Sequence, residues 1–117
     1  MAVAVGQNVD LKRMLDIMSV GAANSGTLQR LKPALLDGRM DTHQFALGDA
    51  RKDVRYFRAL ADNNDLSTPV SDAIHQVYTH AVNLGFGNEL IAALFKYQEL
   101  VSDVVMLKSE SHERKAS

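Results

Sequence analysis

Residues 45–55 read Phe45-Ala-Leu-Gly-Asp49-Ala-Arg51-Lys52-Asp53-Val-Arg55. The stretch sets an aromatic, a lysine and an aspartate at the entrance of a strongly helical segment. Asp49 suits a first turn, where a carboxylate meets the positive end of the helix dipole. Val54, Phe57, Leu60 and Ala61 then recur at helical spacing and predict an inward face running to about Asn63. No core needs Lys52, and a surface helix accepts any charged residue there. On these residues alone, Phe45 is a loop anchor and Lys52 and Asp53 are solvated helix positions.

The same period extends in both directions. Upstream, Asp10 caps a helix with Leu11, Met14, Leu15 and Met18 on one face, ended by Gly21. Asn24 or Ser25 starts a second, with Leu28 and Leu31 inside. Pro33 breaks or restarts it, and Ala34-Leu35-Leu36 closes a short turn before Asp37-Gly38. Residues 37–46 read as a connecting loop. Downstream, Asp62-Asn-Asn-Asp65 stops the third helix. Ser67-Thr-Pro69 opens a fourth, with proline at its first position. Its apolar stripe is Val70, Ile74, Val77, Tyr78, Ala81 and Leu84, and Gly85-Phe-Gly87 ends it. Asn88 caps a fifth helix running to about Lys108, and the polar tail 109–117 frays. The expectation is an all-α chain: about five helices in a compact bundle, a single domain over 1–108, with no convincing strand.

At 117 residues the chain is one domain's length. Its 46% hydrophobic and 23% charged content is that of an ordinary globular protein. A net charge of -1 gives no electrostatic footprint for nucleic acid or an anionic membrane. The absence of cysteine excludes disulfides, thiolate zinc sites and a cysteine nucleophile. It agrees with a reducing, cytoplasmic setting. Met1-Ala-Val-Ala-Val-Gly6 lacks the basic flank and length of a signal peptide, and no apolar run is long enough to span a membrane.

Several segments together carry a resemblance to a known family. Val9-Asp10, Met18-Ser-Val-Gly-Ala-Ala-Asn-Ser25, Phe45 with Lys52-Asp53, Pro69 and Gly85-Phe-Gly87 occur in an order and spacing similar to the C-terminal helical domain of β-hydroxyacid dehydrogenases. This is the 3-hydroxyisobutyrate dehydrogenase family, with a fold like the C-terminal domain of 6-phosphogluconate dehydrogenase. The resemblance covers roughly residues 9–95. It implies that Lys52 reaches a cofactor or substrate cleft and that Phe45 and Asp53 support that cleft. An ammonium on a flexible stem suits a phosphate or carboxylate.

The departures matter as much. The family opens with a Rossmann domain and its glycine-rich phosphate loop. Here Gly85-x-Gly87 lies between two helices and reads as a helix end and turn. The family's catalytic lysine precedes an asparagine by one turn on the helix linking the two domains. None of Lys12, Lys32, Lys52, Lys96 and Lys108 has an asparagine at that spacing. The chain reads as starting just after that element, with Met1–Asn8 its last turn. The expectation is therefore no catalytic residue and no cofactor bound by the isolated chain, with NAD or NADP in a complete parent.

Other groups have plainer readings. Arg51, Arg55 and Arg58 share one helical face, which a phosphate or RNA backbone could use. Asp49, Asp53 and Asp62 at pairing distances favour a salt-bridged solvent face instead. Asp72-x-x-His75 offers two metal ligands, but a usable site needs another. His43, His80 and His112 are scattered, so no metal is expected. No serine sits in a nucleophile-elbow context. Met14, Met18, Phe57, Tyr78, Phe95 and Tyr97 are core filler. The fifth helix is apolar nearly all round, from Leu90 and Ile91 to Met106 and Leu107. Such a helix needs cover on more than one side, so it predicts a homodimer or a neighbouring Rossmann domain docked there. In the family, too, the helical domain is the oligomer-forming half.

The function expected is the substrate-cleft and oligomerisation domain of an NAD(P)-dependent oxidoreductase, not catalytic alone. Three alternatives stand beside it: a free-standing oligomerising or protein-binding module, an anion-binding domain using Lys52, and a nucleic-acid binder, which the charge disfavours.

Overall fold

The structure, a computed structural model, describes Met1–Lys108; the expected polar tail lies outside those residues. The described residues are all-α, with only an isolated bridge between Ala46 and Leu90. Six α-helices occur: α1 (Ala2–Gly6), α2 (Leu11–Val20), α3 (Gly26–Asp37), α4 (Leu47–Asn63), α5 (Pro69–Ala81) and α6 (Ala93–Ser102). A single π-helical turn, Val82–Phe86, follows α5. The described residues divide into two units, one of 1–43 with 95–108, the other of 44–94.

In the first unit the expected caps are present. The Asp10 carboxylate accepts from Arg13 N–H, and the Ser25 hydroxyl accepts from Leu28 N–H, each at 3.0 Å. Each satisfies a donor that the first helical turn leaves orphaned. Helix α3 passes through Pro33 instead of restarting there. It ends at Gly38, whose left-handed φ of 73° lets Arg39 N–H turn back to the Pro33 carbonyl. A Cβ on Gly38 would stand 2.8 Å from the Lys108 carbonyl oxygen, so only glycine fits this approach. Leu15, Leu35 and Met106 are buried together, and Leu11, Leu28, Phe95, Val104 and Leu107 pack around them.

The fifth expected helix is shorter at both ends. Residues 87–92 form successive turns around the bridge at Leu90, and α6 begins at Ala93. At the far end Asp103 takes a left-handed φ of 49°, which breaks the helical ladder. The Glu99 carboxylate then accepts from Met106 N–H at 2.7 Å and Leu107 N–H at 3.2 Å. A side-chain acceptor thus replaces the helical carbonyls, and Met106 drops into the core. More than half of the residues expected to make an all-round apolar helix, Leu90, Ile91 and Val104 to Leu107, are outside α6.

In the second unit α4 and α5 form an antiparallel pair. The buried side of α5 is centred on His75 and Ala81. Of the expected inward stripe, Ala81 is buried and Tyr78 half-buried, but Val70, Ile74, Val77 and Leu84 are exposed; on α4 Ala61 is buried and Val54 half-buried, but Phe57 and Leu60 are exposed. The reason lies on the facing sides, where polar bonds set which edges of the two helices meet.

Candidate functional site

The start of α4 is fastened by backbone bonds. Leu47 N–H donates to the Glu89 carbonyl at 2.8 Å and Gly48 N–H to that of Gly87 at 3.0 Å. Ile91 N–H donates to the Phe45 carbonyl at 2.7 Å. No side chain caps this helix; the carbonyls of the turns at 87–89 supply the acceptors. Two N–H groups of the first turn are therefore engaged and do not face a ligand. A Cβ on Gly48 would come within 2.9 Å of the Gly87 oxygen. Gly48 is thus the glycine that this approach to the Gly87 backbone requires, while Gly85, at φ 98°, makes the turn. The sequence reading gave Gly85 and Gly87 to a helix end and turn and Gly48 no role, because a tertiary approach leaves no local trace.

Phe45 sits just ahead of this fastening, half-buried. Lys52 lies on the second turn of α4 with its side chain 45% exposed, and its Nζ donates to Asp49 Oδ1 at 3.2 Å. The hydrogen bond to Asp49, then that carboxylate's charge, raises the Lys52 pKa above its ordinary value. The ammonium therefore stays charged throughout the neutral range. Asp53 is exposed beside it and adds a smaller favourable field at Lys52. The structure thus joins Lys52 first to Asp49, a partner visible in the sequence as Asp-x-x-Lys on one helical face. The result is an exposed cation pre-positioned by a carboxylate, on a helix whose start is rigidly held.

The arginine stripe has a different use from the expected solvent face. Arg51 Nε donates to Thr79 Oγ1 at 3.0 Å. Arg58 Nε donates to Asp72 Oδ1 at 2.6 Å, and its Nη1 lies 3.0 Å from His75 Nδ1. Arg55 stacks over the Tyr56 ring at 5.6 Å. Arg51 and Arg58 therefore cross to α5 and zip the helix pair. Asp72 and His75, considered above as metal ligands, are bridged by one guanidinium. A guanidinium only donates, so His75 Nδ1 is the acceptor and the proton sits on Nε2. That Nε2 is buried without a hydrogen-bond partner. Burial, followed by the charges of Arg58, Arg51 and Arg55, lowers the His75 pKa. No group of three or more His, Asp or Glu positioned for a metal occurs among the described residues. None of their helices is long and apolar enough to cross a membrane.

This arrangement, an all-α chain with a lysine-aspartate pair on a glycine-fastened helix, has relatives. The family model described as NAD-binding of NADP-dependent 3-hydroxyisobutyrate dehydrogenase matches residues 1–97. The chain belongs to that family. It is also 30% identical over 95 residues to the cytokine-like nuclear factor N-PAC of Anopheles gambiae. The match takes in 81% of this chain but 17% of that protein, so the chain spans about a sixth of its relative's length.

Proposed function

We propose that this chain is the C-terminal helical domain of a 3-hydroxyisobutyrate dehydrogenase-like oxidoreductase, and that it supplies one wall of the cleft and an oligomer contact. The observation that carries this is the family match across residues 1–97. In a complete parent, NAD or NADP supplies the hydride chemistry. Lys52 contributes a fixed positive charge toward a phosphate or carboxylate. Asp49 orients it and keeps it protonated, and an arriving anion competes with Asp49 for the ammonium. Phe45 and Asp53 shape the adjoining wall. Neither a hydride donor nor the acid/base lysine is assigned to this chain, so it is not catalytic alone. Its last helix, α6, meets the nucleotide-binding domain or a second copy.

The test is Lys52→Ala in the complete parent. A lost charge-assisted hydrogen bond contributes about 1.5–3 kcal/mol, so kcat/KM is expected to fall about tenfold or more. An unchanged kcat/KM would remove Lys52 from the cleft.

A second reading is a free-standing oligomerising or protein-binding module derived from such an enzyme. The relative's name favours it, since a nuclear factor is not named for an oxidoreductase activity. Translation of this chain by itself, with strong self-association and no cofactor affinity, supports that reading over the first.

A further inference from the structure

In the unit of residues 1–43 with 95–108, the segment after α6 builds a groove. Asp103, at φ 49°, turns the chain out of α6. The Glu99 carboxylate then holds Met106 and Leu107 N–H, and Met106 is buried against Leu15 and Leu35. The Lys108 carbonyl lies against Gly38, so closely that a Cβ there would come within 2.8 Å of its oxygen. Residues 104–108 are therefore pinned by a carboxylate, by the core and by a glycine. Between them, α6 and the segment after α3 lies an open groove of about 640 Å³. Small-molecule sites occupy roughly 300–1,000 Å³. Every residue lining this one belongs to the same unit.

The lining is aliphatic with a charged margin. Met40, Leu100, Val104 and Leu107 supply the apolar surface, and among the described residues no aromatic side chain lines it. The groove thus offers no platform on which a nucleobase or ring stacks. Branched aliphatic groups and a pliable thioether suit a flexible acyl chain instead. The charged groups on the lining are Lys96, Lys108 and Glu99. Glu99 Oε2 already accepts from two backbone N–H groups, which offsets part of its charge. Two ammonium groups against one carboxylate leave the lining positive. Lys96 is half-buried and one turn from Leu100 on the same face of α6, while Lys108 is exposed.

We infer that this groove binds a free medium-chain carboxylate. Its acyl chain lies along Leu100, Met40, Val104 and Leu107, and its carboxylate meets the ammonium groups of Lys96 and Lys108. A membrane surface would call for a helix rich in Lys and Arg on its polar face, and α6 carries Lys96 alone. The site is separate from the proposed cleft wall, because Phe45, Lys52 and Asp53 belong to the unit of residues 44–94. It leaves the rest of α6, including the exposed Val101, for the contact proposed above. Its failure would therefore leave the cleft reading standing.

The test is isothermal titration of the purified chain with decanoate below its micelle-forming concentration, with decanol and acetate beside it. Saturable binding of one decanoate per chain is expected, with decanol and acetate each at least about tenfold weaker. Leu100 is 65% exposed, so Leu100→Asp keeps the fold while setting a carboxylate in the apolar wall, and is expected to abolish binding. Lys96→Gln combined with Lys108→Gln is expected to weaken it at least about tenfold, and Ile17→Asp, on exposed α2 surface, to leave it unchanged. Circular dichroism checks helix content in each variant. No saturable decanoate binding to the wild type, decanol binding as tightly as decanoate, or binding that survives Leu100→Asp would overturn the inference. Sedimentation of the chain with phosphatidylglycerol vesicles but no binding of free decanoate would assign the groove to a membrane and overturn it as well.

Discussion

Two glycines and a histidine show how single residues decide the outcome. Gly48 is helical, and in an open helix an alanine would gain about 1 kcal/mol over glycine. Here the new Cβ would meet the Gly87 oxygen at 2.9 Å, and that oxygen belongs to a backbone already bonded to Gly48. Gly48→Ala is expected to destabilise by about 1–3 kcal/mol in urea unfolding. Gly26→Ala, with nothing within 4 Å of its Cβ, is expected to gain about 0.4–1 kcal/mol. His75 gives a pH signature. It is 8% exposed, faces Arg58, Arg51 and Arg55 from α4 and Asp72 from its own helix, and has a lowered pKa. Below the ordinary histidine value of about 6.5 the unfolded chain binds a proton that the folded chain resists. Stability is therefore expected to fall as pH drops from about 7 toward 5.5, a fall that His75→Gln reduces. Lys52 was legible as a residue without a structural duty, and Asp49 as its helical neighbour. The buried bond of His75 to Arg58 was not legible, because i-to-i+17 pairs leave no periodic trace.

At the scale of elements, local signals were reliable where they were chemical and failed where tertiary bonds competed. Asp10 and Ser25 cap as expected because capping is a three-residue event. The length of α6 was overestimated because apolar residues at 104–107 continue the helical period. They leave the helix because Glu99 offers Met106 and Leu107 a better acceptor. Glu99→Ala is expected to cost about 1.5–3 kcal/mol, since two donors lose a charged partner. Thermal melts would show that loss while the helical signal at low temperature stays unchanged. Asp103→Gly, by contrast, relieves a left-handed residue at φ 49° and is expected to gain about 1 kcal/mol.

For the whole molecule, the all-α class was legible from period alone, and the family from the order of its motifs. The direction of the α4 and α5 faces was not. Phe57 and Ile74 read as core because apolar stripes usually are, but the arginine-to-α5 bonds rotate the pair so that its large side chains face outward. Sequence period identifies an apolar face; it does not say whether the same chain covers it. The chain is thus a helical domain with an exposed, charged lysine on a helix whose start is fastened by backbone bonds, and with apolar side chains exposed on α4 and α5; the proposal is that it completes an oxidoreductase. The most direct measurement is NADP-dependent oxidation of 3-hydroxyisobutyrate by the purified chain at high protein concentration. The account predicts no turnover above the protein-free rate. Turnover that rises in proportion to the chain would mean that it holds its own cofactor and acid/base group, and would contradict the account.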